Sequence, residues 1–260
     1  MILDNKIPEI FQYKEIEVPK DCYHKISPSQ ITKFFEYPKV YYEENILKKP
    51  FEFQGNTSTV LGTICHYIYK CVTLGQEITK DEINEQLIKY ATQKPGLNLD
   101  VQEIINNYPL VSSAVVNEYI LPNSKANLIK VEEQVLVELG EGIYIGGTYD
   151  RLEGDCIVDY KNVSKLPNTI TIPFNYKIQL LAYAWMLRKK GYEVNRIRIV
   201  YGITPTKTIG ARCIVITEEV DYMADKLIND TIQLIEESII ICKYKPELIH
   251  LIFKSMDLKQ

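Results

Sequence analysis

The sequence predicts an α/β protein, with a central mixed β-sheet flanked by helices and a helical part ahead of it. Three observations predict this. Up to about residue 127, apolar residues recur at helical spacing behind capping signals. From 128 to about 161 the pattern changes to period-two alternation broken by glycine turns. Helix and strand patterns then follow in the order α-β-β-α. No repeat, low-complexity run or linker divides the 260 residues. The expectation is one domain, 1–260: an arm (1–25), a helical part (26–127), a sheet with one helix (128–217) and a C-terminal helix (218–260).

Composition narrows the class. Hydrophobic residues make up 46% and charged residues 25%, as in soluble globular proteins. No apolar run approaches the roughly 18–20 residues of a membrane span, and the start MILDNKIPEIFQYKE lacks the pattern of a secretory signal. The six cysteines (Cys22, Cys65, Cys71, Cys156, Cys213 and Cys242) form no Cys-x-x-Cys pair. Reduced thiols and a cytoplasmic location are therefore expected. A net charge of −4 does not advertise a nucleic-acid binder, nor does it exclude one whose lysines line a local path.

The arm, 1–25, has few periodic signals. Ser27-Pro28-Ser29 starts a helix with an N-cap serine and a first-turn proline, and Ile31, Phe34 and Phe35 form its stripe. Pro38 breaks or restarts it, and Lys48-Lys49-Pro50 closes the element. Thr57 or Ser58 opens the next helix, which glycine ends at Leu74-Gly75. His66 lies one turn after Gly62, a small residue that lets a backbone or ligand approach that face. Thr79-Lys80-Asp81-Glu82 is a capping box for a helix to about Ala91. Asp100 caps another helical stretch that Pro109 interrupts, running on to Leu121, and Pro122-Asn123-Ser124 ends the helical half.

Leu128 to Leu139 alternates as a strand, with Ile129, Val131, Glu133, Val135 and Val137 on one face. Glu133 is an acid on an apolar face. Either it stands at the active edge of the sheet as an additional acid, or a bulge or lysine partner accommodates it. Gly140-Glu141-Gly142 turns the chain into two further strands. A helix begins near Pro173, with Ile178, Leu181, Ala182, Trp185 and Met186 as its core stripe, and Gly191 ends it. Asn195–Ile203 and Ala211–Ile216 read as strands, and Thr217 caps a long helix to about Lys243.

The centre of the chain is Tyr144 to Lys161. Along Ile157-Val158-Asp159-Tyr160-Lys161, Ile157, Asp159 and Lys161 share one strand face. Asp150 lies on the preceding strand. With a Glu153-Gly154 loop it is diagonal to Asp159; with Gly154-Asp155 it is directly opposite. Both place the carboxylates on one face, about 5–8 Å apart at Cβ. Two carboxylates beside a lysine call for neutralisation, which a hard divalent cation supplies. Alone, His66 reads as a satisfied histidine; beside Asp150 and Asp159, a metal-ligand role is the better reading. Gln179 and Tyr183 are four apart and share a helix face.

Gly-x-x-x-His (Gly62 to His66), Gly-Gly-x-x-Asp (Gly146 to Asp150), Asp-Tyr-Lys (Asp159 to Lys161) and Gln-x-x-x-Tyr (Gln179 to Tyr183) occur in one order, behind Ile26-Ser27-Pro28-Ser29-Gln30 and Tyr37-Pro38. In this the chain resembles RecB-like nucleases of the PD-(D/E)xK superfamily, over roughly Ile26 to Ile203. The resemblance implies a restriction-endonuclease-like core and a metal-dependent DNA nuclease, favouring an exonuclease in recombination, repair or phage replication. It implies Mg²⁺ or Mn²⁺ held by Asp150, Asp159, His66 and the Tyr160 carbonyl. Lys161 would position or deprotonate water, or neutralise the transition state. Gln179 and Tyr183 would orient that lysine or touch DNA; for Tyr183, packing is an equal reading. Relatives with an iron–sulfur cluster carry a cysteine where Tyr37 stands and a late cysteine cluster, so no such cluster is expected. The implied partners are DNA, a helicase or recombination protein and a second copy of the chain, in a bacterial or phage-infected cell. The rival reading is a non-catalytic DNA-binding scaffold subunit; an RNA or tRNA-processing nuclease is a weaker third.

Overall fold

The computed structural model describes residues 6–12, 14–47, 55–125, 129–165, 170–245 and 248. Expectations placed on Lys48-Lys49-Pro50, Leu128, Asn168 and the side chain of Phe35 lie outside these. Among the described residues, six strands form one mixed sheet: β1 (His24–Ile26), β2 (Ile129–Gly140), β3 (Ile143–Glu153), β4 (Cys156–Val163), β5 (Arg196–Ile203) and β6 (Arg212–Glu219). Its helices are α1 (Pro28–Glu36), α2 (Pro38–Tyr41), α3 (Thr57–Thr73), α4 (Lys80–Gln93), α5 (Val101–Val115), α6 (Phe174–Lys189) and α7 (Tyr222–Tyr244). The predicted α/β class, mixed sheet and helical N-terminal part are all present.

The sheet has two buried faces. On one, Ile31 and Phe34 of α1, Leu181 and Met186 of α6 and Ile228 and Ile235 of α7 pack against Ile157, Ile197 and Ile199. On the other, Ile64 of α3, Leu87 of α4 and Ile104 and Val111 of α5 pack against Cys156, Val158, Tyr160 and Val200. Consecutive residues of β4 thus enter different cores, which is why this strand reads as an unbroken apolar run.

β3 positions the site. A strand has two edges, and β2 takes one of them along its length, antiparallel, through the turn Glu141-Gly142 with φ of 54° and 76°. The other edge is shared. β1 pairs parallel with Ile143–Ile145, and β4 pairs antiparallel only with Arg151–Glu153. The chain therefore forks where β3 and β4 part. β4 continues beside β5, in parallel, for its whole length.

Four sequence expectations change. The arm contains β1, whose three residues are too few to show a period. Pro109 does not interrupt α5. The helix runs through it and ends in a π-turn at Val116–Ile120, giving up the one hydrogen bond that proline cannot donate. Asn56, ahead of Thr57, caps α3 by accepting from the Thr59 amide at 2.9 Å. Thr217 lies within β6, and Asp221 caps α7 by accepting from Ala224. The capping box Thr79–Glu82 forms as read.

Candidate active site

The hairpin register is Glu153↔Cys156, Leu152↔Ile157 and Arg151↔Val158, so the loop is Gly154-Asp155. This is the alternative that places Asp150 opposite Asp159. Pairing stops one step short of that position. The Asp150 carboxylate takes over from the backbone, its Oδ2 accepting from the Tyr160 amide at 2.7 Å. The pleat of β3 also slips here: Tyr149 and Leu152, three residues apart, enter the same core. Across from Asp150, Glu132 of β2 adopts φ 49°, and the pairing with β2 skips both residues. Asp150 thus stands at the fork.

His66 comes from α3. Its Nε2–H donates to the Tyr160 carbonyl at 3.0 Å, since a carbonyl only accepts, and its Nδ1 lies 3.4 Å from Asp150 Oδ1. A Cβ at Gly62, one turn earlier, would meet nothing within 4 Å, so that approach is open. On the other side of the sheet, Lys161 Nζ donates to Asp159 Oδ1 at 2.9 Å and lies 2.7 Å from Oδ2. Gln179 of α6 donates from Nε2 to Asp159 Oδ1 at 3.3 Å.

The charges are strongly coupled. Burial pushes the Asp159 carboxyl up to about 6, with Lys161 pulling the other way. Burial would also raise Asp150, but the His66 imidazole, the Lys161 ammonium and the Tyr160 amide reverse this and hold it below its ordinary value. Burial disfavours the charged forms of His66 and Lys161. The aspartates overcome it, and both bases are raised.

The donor chemistry fits a hard divalent cation: two carboxylates, a carbonyl oxygen and one imidazole. Asp159 Oδ2 is buried, and the Lys161 ammonium, 2.7 Å away, supplies its counter-charge. Among the described residues, no three His, Cys, Asp or Glu side chains converge to hold an ion as they stand. The Tyr160 carbonyl keeps a second lone pair beside the His66 bond, and His66 Nδ1, the other ring nitrogen, faces Asp150.

The structure brings His66, Asp150, Asp159, Tyr160, Lys161 and Gln179 together. It turns two other candidates elsewhere. The Tyr183 hydroxyl donates to the Thr148 carbonyl at 2.8 Å, with the ring edge-on to Tyr149. Glu133 accepts from Lys130 at 2.8 Å and from the Tyr149 hydroxyl at 3.1 Å, the lysine-partner alternative. The sequence reading missed Tyr176, whose ring centroid lies 5.1 Å from Lys161 Nζ, and Tyr201, the β5 residue in register with Lys161. Tyr176 lies three residues before Gln179 on the same helix face, which was a usable signal. Tyr201 carried none until the β4–β5 pairing was known.

The family model for the PD-(D/E)XK nuclease superfamily matches residues 25–240. No curated protein matches. Among solved structures, the chain is similar to SSO0001, at 17% identity, covering 78% of this chain and 86% of that one, with a TM-score of 0.29. It is also similar to a phage related exonuclease from Haemophilus somnus 129PT, at 16% identity, covering 83% and 97%, with a TM-score of 0.34.

Proposed function

Because the chain belongs to the PD-(D/E)XK nuclease superfamily, we propose that it is a metal-dependent deoxyribonuclease that degrades DNA from its ends. The observation that carries this reading is the convergence at the fork. Asp150 is tied to the Tyr160 amide and lies beside His66, and Asp159 is gripped by Lys161 and Gln179. The exonuclease assignment, and a setting in recombination, repair or phage replication, follow from the motif order shared with RecB-like nucleases.

Asp150, Asp159 and the Tyr160 carbonyl, with His66, would hold Mg²⁺ or Mn²⁺. Such an ion neutralises the carboxylates, acidifies water and offsets charge on the scissile phosphate. The protein supplies the rest. Lys161 carries its ammonium beside Asp159, where it holds the attacking water or balances the phosphate's charge. Water oxygen bonds to phosphorus and gives up one proton, the bond from phosphorus to one ester oxygen breaks, and that oxygen takes up a proton in its place, so none is gained or lost overall. Gln179 fixes the Asp159 carboxylate from α6, and the Tyr160 amide fixes Asp150 from β4, so neither has to reorganise.

End-labelled linear DNA and closed circular DNA, incubated with Mg²⁺, Mn²⁺ or EDTA, test the proposal beside Asp159→Ala. Metal-dependent loss of the linear DNA alone, absent in the variant, is expected. Cleavage of the circle would make the enzyme an endonuclease. DNA binding without cleavage under either metal would replace the proposal with the scaffold reading.

A further inference from the structure

Tyr201 is fully buried on β5, and its hydroxyl has no hydrogen-bond partner among the described residues. A buried hydroxyl without a partner is costly, so its presence in a close-packed sheet calls for a reason. Its position suggests one. Tyr201 is the register partner of Lys161, as Ile199 is of Asp159, and partners in parallel strands project from the same face. The charges of Lys161 and Asp159 and the Tyr176 hydroxyl all act on the Tyr201 phenol. The catalytic lysine therefore has Asp159 on one side, the Tyr176 ring 5.1 Å away on another, and Tyr201 as its partner on the next strand.

In this structure the Lys161 ammonium lies against both Asp159 oxygens, at 2.9 and 2.7 Å, and a divalent cation would draw on the same carboxylate. The ammonium and the cation compete for one carboxylate. A lysine displaced from Asp159 calls for a new acceptor, because its side chain is only 23% exposed and an ammonium largely cut off from water is costly to leave unpaired. Within the described surroundings, the Tyr201 hydroxyl is an acceptor with nothing bound to it, and the Tyr176 ring offers a second, cation–π contact.

We propose that Tyr201 is a positioning residue for Lys161: its hydroxyl receives the lysine ammonium when a divalent cation takes Asp159. The hydroxyl stores a small destabilisation in the metal-free fold and returns it as metal affinity. It also holds the ammonium in reach of the reacting phosphate. This rests on the metal-dependent nuclease reading.

The test compares the wild type with Tyr201→Phe, which keeps the ring and removes the oxygen. Mn²⁺ affinity is measured by calorimetry, DNA cleavage by kinetics and stability by thermal unfolding in EDTA. The expected result is Mn²⁺ binding about three- to tenfold weaker, kcat about tenfold lower, KM for DNA unchanged, and metal-free stability unchanged or raised. Unchanged Mn²⁺ affinity and kcat in a wild type that cleaves DNA would overturn the inference and leave the nuclease intact. Weaker Mn²⁺ binding by the variant, with no cleavage by either protein, would uphold the inference and overturn the nuclease reading. A wild type that binds no Mn²⁺ overturns both.

Discussion

Burial pushes the Asp159 carboxyl up to about 6, against 3.8 for a free side chain, even though Lys161 touches it. The cause is the loss of water around a side chain only 8% exposed, with a second carboxylate, Asp150, across the fork. The metal-free folded state thus holds this proton more tightly than the unfolded chain does. Stability falls as pH rises from about 3.8 to about 6, and the penalty is fully present above that range. Asp159→Asn removes the charge while keeping the shape. In EDTA at pH 7 the variant should be more stable by about 1–2 kcal/mol, the advantage shrinking to nothing near pH 4. It should also cleave no DNA. Thermal unfolding across pH checks this; a variant less stable than wild type at pH 7 would show that Lys161 gains more from the carboxylate than burial costs. His66 and Asp150 do not share this tension, because each is stabilised in its charged form by the other.

α6 is held against β3 by a close fit. The Tyr183 hydroxyl bonds the Thr148 carbonyl, and a Cβ at Gly147 would lie 2.4 Å from that hydroxyl and 3.0 Å from Pro28 Cδ. The fit sets how far Gln179, one turn earlier on α6, stands from Asp159. Tyr183→Phe should cost about 1 kcal/mol of stability and leave KM for DNA unchanged. A raised KM would instead show that the hydroxyl reaches the substrate. Gly147→Ala should cost about 1–3 kcal/mol and lower kcat more than it changes KM, because the helix must shift. At this scale the sequence was legible where signals are local. The Thr79–Glu82 capping box, Gly191 after α6 and the Gly154 turn are each fixed by residues within four of one another. The two aspartates could be narrowed to two registers, since period two alone decides the face. The slip of β3 at Asp150 was not legible. It depends on Glu132 adopting a left-handed backbone on a neighbouring strand, and on β4 parting from β3 before the Tyr160 amide is paired. Tyr201 was hidden for the same reason, as its meaning lies wholly in its cross-strand partner.

The helical half and the sheet are joined through charge as well as through apolar packing. Glu153 of β3 accepts from the Tyr119 hydroxyl at 3.0 Å and from Arg198 of β5 at 3.2 Å, and pairs with Arg151 at 3.0 Å. Arg151, fully buried, donates onward to the Thr73 hydroxyl at the end of α3 and to the Asn123 carbonyl. This one carboxylate therefore anchors two arginines and, through Tyr119 and Arg151, the C-terminal ends of α3 and of the α5 segment. Removing it leaves two buried cations short of a counter-charge, so Glu153→Gln should cost on the order of 3 kcal/mol. That is a large part of a domain's net stability. Because Cys156, Val158, Tyr160 and Val200 of the sheet complete the core under α3–α5, neither half closes a core alone. The two halves should then unfold together. The single tryptophan, Trp185 on α6, reports the far side of the sheet, while far-UV circular dichroism is dominated by helices on both sides. In urea the two signals should trace one transition in the wild type, and one transition at lower urea in Glu153→Gln. Separate midpoints in the wild type would mean that the helical half is its own folding unit. Position would then reach Asp150 only through β3, and His66 would enter the site by docking rather than by folding.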